Sequence, residues 1–250
     1  MLKNNLLKEN ERIDSLQRNG YSIIQNSTRF CFGMDAVLLT EFVNLKKGDR
    51  VIDLCTGTGV IPILLCAKSQ AEHFEAVEIQ KETADMAKRS VILNNLEDRI
   101  DVKCEDLNNL KSVFENASFD AVTVNPPYMT PGKALVNPDE SKAIARHEIK
   151  CTLKDVLSES SRLLKNGGKL FMVHKPERLD EIIVAMKEVK LEPKRLRIVY
   201  PRIDSKPNMI LIEGAKCANA GMIVEKPLII YDESGKYTRE VAKIYESDDE

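Results

Sequence analysis

The sequence predicts an α/β fold, a mostly parallel sheet with helices on both faces and an antiparallel hairpin at one edge. Three observations predict it. From Val51 onward, short apolar runs alternate with stretches of helical spacing, which is the pattern of a βαβ series. The first run, Val51-Ile-Asp-Leu54, is of the kind that is buried on both faces of a parallel sheet. Late in the chain the alternation stops, and two apolar runs, 195–200 and 209–213, follow each other with only a turn between them, so they pair antiparallel.

In chain order, residues 21–25 (Tyr-Ser-Ile-Ile-Gln) read as a short strand. Ala36, Val37, Leu38, Leu39 and Phe42 then recur at helical spacing over residues 34–43. Residues 1–48 therefore form an N-terminal cap, and Gly48-Asp49 introduces the first central strand. A helix over 61–68 takes Pro62 in its first turn, where the missing N–H costs nothing. Strands over 74–79, 100–104 and 120–124 and a helix over 81–94 continue the series. A helix over 152–164 closes at Asn166-Gly167-Gly168, a left-handed C-cap signal, before a strand over 169–174 and a helix over 178–189. The main domain runs from 49 to 216. Residues 217–250 are a C-terminal extension packed on it, ending in the acidic tail Glu246-Ser-Asp-Asp-Glu250.

Composition narrows the function classes. With 250 residues and 43% hydrophobic content, the chain suits a single sizeable core. Apolar runs such as 60–67 fall well short of the ~20 residues that span a bilayer. The start, Met-Leu-Lys-Asn-Asn, lacks a signal-peptide pattern, so a cytoplasmic protein without a membrane partner is expected. Six cysteines without a C-x-x-C pair read as reduced core thiols and give no metal site. A net charge of -2 gives no global polycation for nucleic acid, but from Lys187 to Lys206 the bases outnumber the acids.

The chemistry gathers at strand ends. Asp53-Leu-Cys-Thr-Gly57-Thr-Gly59 joins a strand to a helix, and its glycines permit a tight turn with close ligand approach at the helix N-terminus. No Gly-Lys-Ser/Thr follows, so this is not a P-loop. Pro62 stands where a dinucleotide fingerprint needs its third glycine. Glu78 and Asp106 follow the next two strands, and Asn125-Pro126-Pro127-Tyr128 the one after. In a parallel sheet these ends converge on one rim, so Asp53, Glu78, Asp106 and Asn125 line one crevice fit for a nucleotide-like ligand. Two prolines stop a strand rigidly, and alone they are equally mere punctuation. Beside such a crevice they present an amide and an aromatic ring to a planar amine. The Asn125 side-chain oxygen and the Pro126 carbonyl are suited to accept its N–H bonds, and Tyr128 offers a face for its ring.

Taken together, the acidic strand end, the Gly-x-Gly turn, the second and third strand-end acids, Asn-Pro-Pro-Tyr and the terminal hairpin resemble the class I S-adenosylmethionine-dependent methyltransferases. The resemblance implies a Rossmann-like, seven-stranded sheet with S-adenosyl-L-methionine as cofactor. It places Gly57 and Gly59 near the methionine part, Glu78 on the ribose and Asp106 on the adenine amino group, with Asp53 and Asn125 completing the cofactor site. Cys55 departs from the family, where glycine is usual. Asn-Pro-Pro-Tyr itself fits adenine N6, guanine N2 or a glutamine amide as acceptor.

Further stretches are similar to one family, the bacterial tRNA1(Val) adenine-N6 methyltransferases. They are Glu11-Arg-Ile-Asp14, Ile23-Ile-Gln-Asn26, Phe32-Gly-Met-Asp35 with Ala36 to Leu39, Ala145-Arg-His-Glu148, and Val199-Tyr-Pro-Arg202 leading to Leu211-Ile-Glu213. This likeness implies the adenine 3′ of the anticodon as target, with Asn125, Pro126 and Tyr128 catalytic and the anticodon arm of a tRNA as partner. Pro127, Tyr128, Arg146, His147, Lys194, Arg195, Arg197 and Arg202 are the expected substrate contacts. Lys190 and Lys206 add to the basic stretch, which is alternatively a solvated edge hairpin. Arg146 and His147 follow a Pro- and Gly-containing stretch, 129–145, expected to be a mobile loop. Competing functions are methylation of rRNA guanine, DNA adenine or a protein glutamine, and non-catalytic nucleotide or RNA binding. Glutamine methylation is disfavoured, because only about fifty residues precede Val51, too few for the separate helical domain such enzymes carry.

Overall fold

The computed structural model describes residues 6–28, 31–127 and 152–245. The strand expected over 21–25 is β2 (Ser22–Asn26), and it is not alone: it pairs antiparallel with β1 (Glu11–Ser15) in a two-stranded sheet of its own. Charged residues crowd β1 and hide its alternation. Glu11 pairs with Arg89 at 2.6 Å and Arg12 with Asp14 at 2.9 Å. After β2 comes α1 (Met34–Phe42), buried over most of its surface.

The central sheet begins with β3 (Arg50–Leu54), and α2 (Val60–Lys68) crosses to β4 (His73–Glu78). Helix α3 (Lys81–Leu93) leads to β5 (Ile100–Cys104), and a 3-10 turn (Leu107–Ser112) precedes β6 (Phe119–Val124). Helix α4 (Leu153–Leu163) starts on a capping box, in which Thr152 and Asp155 satisfy each other's backbone N–H groups. It runs directly into β7 (Leu164–His174), longer at its start than the expected 169–174 because Leu164 already pairs with Phe119. Helix α5 (Leu179–Glu188), β8 (Leu191–Tyr200) and β9 (Met209–Lys216) follow. The strand order is β5-β4-β3-β6-β7-β9-β8, parallel except for β9.

The sheet has nine strands where seven were expected. The additional two are two-residue strands, β10 (Ile223–Val224) and β11 (Leu228–Ile229), which pair in parallel along the outer side of β8. The hairpin is therefore not an open edge. Helix α6 (Arg239–Tyr245) then packs on α1.

Period-two alternation sorts the sheet residues into two cores. Val51, Ala121, Phe171, Val173 and Leu211 face α1 and α2, whereas Ile52, Val122, Leu170, Met172 and Ile212 face α4 and α5. With helices on both faces, both sets are buried. Because the parallel strands share a direction, Leu54, Glu78, Cys104, Val124, His174 and Tyr200 all end at one rim.

Candidate active site

The turn after β3 is built on unusual backbone. Cys55, Gly57 and Gly59 have φ of 57°, 60° and 88°, all left-handed. Glycine adopts this freely, whereas a residue with a Cβ pays about 1–2 kcal/mol. The glycine usual at position 55 in the resembled family thus has a local reason, and Cys55 sits in its conformation with a side chain attached. At Gly59 a Cβ would lie 3.4 Å from the Cβ of Ala87, so this glycine lets the start of α2 close on α3. At Gly57 a Cβ would meet nothing within 4 Å, so the main chain faces open space there.

Carboxylates frame that space. Asp53 is fully buried, and its Oδ1 accepts a hydrogen bond from the Thr123 hydroxyl at 2.6 Å. Burial pushes its pKa up to about 7, against the pull of the Thr123 and Thr56 hydroxyls, and the Glu78 carboxylate adds to the rise. Asp53 Oδ2 and Thr56 Oγ1 are buried without a hydrogen bond of normal geometry. Glu78, buried at the end of β4, accepts from the Gly57 N–H at 3.0 Å and from the Gln80 N–H at 2.9 Å. Its carboxylate is thereby fixed against the glycine turn. Asp106 caps the 3-10 turn after β5, accepting from the Asn108 N–H at 2.9 Å. The open face at Gly57, with carboxylates around it, fits a polar, partly cationic ligand lying over the turn.

Asn125 follows β6 at the same rim. It is half-buried, and its Nδ2 donates to Asp35 Oδ2 in α1 at 2.9 Å. Pro126 is buried and Pro127 half-buried, as a rigid strand end requires. Asp35 has no place among the expected site residues, and a first-turn helix acid gives no sign in sequence of a partner ninety residues away. His174, at the end of β7, is buried with its Nδ1 accepting from the Lys175 N–H at 2.8 Å. Burial pulls its pKa down to about 4, so it stands neutral at the rim.

The expected substrate contacts meet different surroundings. Tyr128, Arg146 and His147 lie outside the described residues. Arg195 stacks 3.8 Å over the Phe42 ring, pairs with Glu213 at 2.8 Å and Glu225 at 3.0 Å, and bonds the Phe42 carbonyl. Arg197 pairs with Glu240 and bonds the Lys226 carbonyl at 3.2 Å. The charge of these two arginines is engaged by acids of the sheet and the C-terminal extension. Lys194 bonds the Asn219 carbonyl at 3.1 Å. Arg202 alone of the four is exposed, in the β8–β9 turn at the site's own rim. The cysteine expectation also needs correction. The described cysteines are free thiols, but only Cys66 is buried, while Cys104 and Cys217 are exposed.

Strands in this order, with a glycine turn and carboxylates gathered at one rim, define a class of protein: the chain is a class I S-adenosylmethionine-dependent methyltransferase. Residues 32–189 match the methyltransferase small domain model, and the chain belongs to that family. It is 31% identical to a tRNA1(Val) (adenine(37)-N6)-methyltransferase of Parabacteroides distasonis, over 72% of this chain and 75% of that one. It is 27% identical to the enzyme of the same name in Porphyromonas gingivalis, over 90% and 91%. In structure it is similar to a protein described as a predicted O-methyltransferase from Agrobacterium tumefaciens. That match has a TM-score of 0.69 at 22% identity and covers 86% of this chain and 97% of that one. Among the described residues no helix is long and apolar enough to cross a membrane.

Proposed function

We propose that this protein transfers a methyl group from S-adenosylmethionine to N6 of the adenine 3′ of the anticodon in tRNA1(Val), in the cytoplasm. The observation that carries the reading is Asn125-Pro126 at the rim that also holds the glycine turn, since methyl transfer is an in-line displacement that needs acceptor and donor side by side. Relatives named for this reaction, one of them matching 90% of the chain, support the choice of acceptor. In this reading residues 49–216 are the methyltransferase domain, with 1–48 as its cap and 217–250 as an extension.

Asp53, Gly57, Gly59, Glu78 and Asp106 would hold the cofactor, with Asn125 at its edge. When bound, it supplies an electrophilic methyl on a sulfonium. The acceptor amine is a weak nucleophile because its lone pair is delocalised into the purine ring. The Asn125 oxygen and the Pro126 carbonyl accept its two N–H bonds and stabilise the positive charge that develops on nitrogen, so no strong general base is required. Pro127 and Tyr128 pack on the base once it is turned out of its stack. Arg146, His147, Lys194 and Arg202 are proposed to contact the RNA.

Nucleoside mass spectrometry of tRNA from cells with and without the protein tests the reading. N6-methyladenosine that appears only with the protein supports it, while methylated guanine or a labelled protein would redirect it. In single-turnover assays Asn125→Ala is expected to lose about 100-fold or more in rate with cofactor affinity within a few-fold of the parent. An unchanged rate would remove the amine clamp.

A further inference from the structure

The hydrogen bond from Asn125 Nδ2 to Asp35 Oδ2, 2.9 Å long, joins the end of β6 to the first turn of α1. A carboxylate only accepts hydrogen bonds, so the amide edge facing it must be the NH2 group. The reverse orientation would set the Asn125 oxygen against the negative charge of Asp35. Of the two flip states of the amide, one is selected, and it directs Oδ1 away from α1. A charge-assisted bond on the NH2 also polarises the amide and strengthens Oδ1 as an acceptor.

The surroundings of Asp35 hold its carboxylate in place. A Cβ at Gly33 would lie 2.9 Å from Asp35 Oδ1, so the residue before the helix is one that leaves this rotamer room. The segment entering α1 is tied down in turn, because the Phe32 N–H donates to Gln25 Oε1 at 2.9 Å and Gln25 also bonds Asp14. Through β2 and β1, the N-terminal hairpin thus braces the helix turn that carries Asp35.

We infer that Asp35 is a positioning residue for methyl transfer, fixing the flip state and acceptor strength of the Asn125 amide, and that the N-terminal cap is in this way part of the catalytic machinery. The inference rests on the reading of Asn125 as the amine clamp. It assigns Asp35 no contact with the acceptor or the cofactor.

The test compares Asp35→Ala, Asp35→Asn, Asn125→Ala and the double variant Asp35→Ala/Asn125→Ala on an unmodified tRNA1(Val) transcript, with S-adenosylhomocysteine binding measured in parallel. Asp35→Ala is expected to lower kcat about 10- to 100-fold with cofactor affinity within a few-fold. Asp35→Asn, whose amide oxygen still accepts from Asn125, should recover part of that loss. The double variant should be no slower than Asn125→Ala, because both changes act through one amide. A second readout needs no turnover. The Asn125 side-chain NH2 signal in a 15N–1H spectrum, identified by its loss in Asn125→Ala, should shift in Asp35→Ala and less in Asp35→Asn. Additive losses in the double variant, or an NH2 signal that Asp35→Ala leaves in place, would overturn the inference. If Asn125→Ala keeps the parent rate, the amine clamp itself fails. If Asn125→Ala is slow and Asp35→Ala is not, only the role of Asp35 fails.

Discussion

Asp53 carries the clearest pH signature in the molecule. Its folded pKa of about 7 stands above the ordinary carboxylate value of 3.8, with burial as the main cause. The stability it contributes is complete below the unfolded pKa and is lost as pH rises through about 7, on the order of a few kcal/mol. Thermal melts of the unliganded protein should therefore show the parent losing stability against Asp53→Asn between pH 5 and 8. A gap that does not change with pH would contradict this. A cationic ligand over the turn favours the carboxylate, so cofactor binding near pH 7 should release protons. Calorimetry in buffers of different ionisation enthalpy measures the release, and Asp53→Asn should abolish it. Cys55 invites a simpler test. Cys55→Gly removes left-handed strain and adds unfolded-state freedom, so a net gain of up to about 1 kcal/mol in denaturant unfolding is expected.

Residue identity was legible where parallel topology guarantees convergence. Asp53, Glu78, Asp106 and Asn125 could be placed on one rim because strand ends in such a sheet share it whatever the loops do. Asp35 was missed because its partner is set by how α1 lies across the sheet, and local sequence does not encode that angle. The ion pairs of Arg195 and Arg197 were illegible for a related reason: a run of bases shows charge but not the acids that meet it after folding. Glu225 and Glu240 arrive from a segment that lies beyond the hairpin in sequence.

At the scale of elements, β2 shows how a lone hairpin is made to stay. Its Ile24 N–H donates to the Ser90 hydroxyl at 2.9 Å, and its Ser22 N–H to Asn94 Oδ1 at 2.8 Å, so side chains of α3 and of the residue that caps it satisfy the ladder positions that a third strand would. A two-stranded sheet is otherwise marginal in water. The joint between sheet, α1 and C-terminal extension is Arg195. Arg195→Ala is expected to cost about 1–3 kcal/mol of stability while leaving the salt dependence of RNA binding unchanged. Arg202→Ala should do the opposite, lowering the slope of log affinity against log salt by about 1 with little change in melting temperature. A reduced slope for Arg195→Ala would restore that residue to the RNA surface. The long elements were legible from periodicity. β1 was not, because ion pairs occupy its alternating positions, and β10 and β11, at two residues each, fall below any pattern.

For the whole molecule, the cysteines report on opening. Cys66, on α2, lies in the core, and burial pushes its thiol up to about 12, whereas Cys104 and Cys217 are exposed. Pulse labelling with a thiol reagent should modify Cys104 and Cys217 in the native state and reach Cys66 only as fast as the fold opens, slowing further when cofactor is bound. Rapid native-state labelling of Cys66 would place it in a locally mobile region. The overall architecture was the most legible level of all, since alternation followed by a hairpin leaves few topologies.

The pairing of β10 and β11 along β8 also sets an order of events. During folding β8 and β9 can pair before residues 223–229 dock, so for that interval the sheet ends in a bare row of N–H and C=O groups beside Leu196 and Val199. The folding chain is at its most adhesive just before residues 223–229 dock.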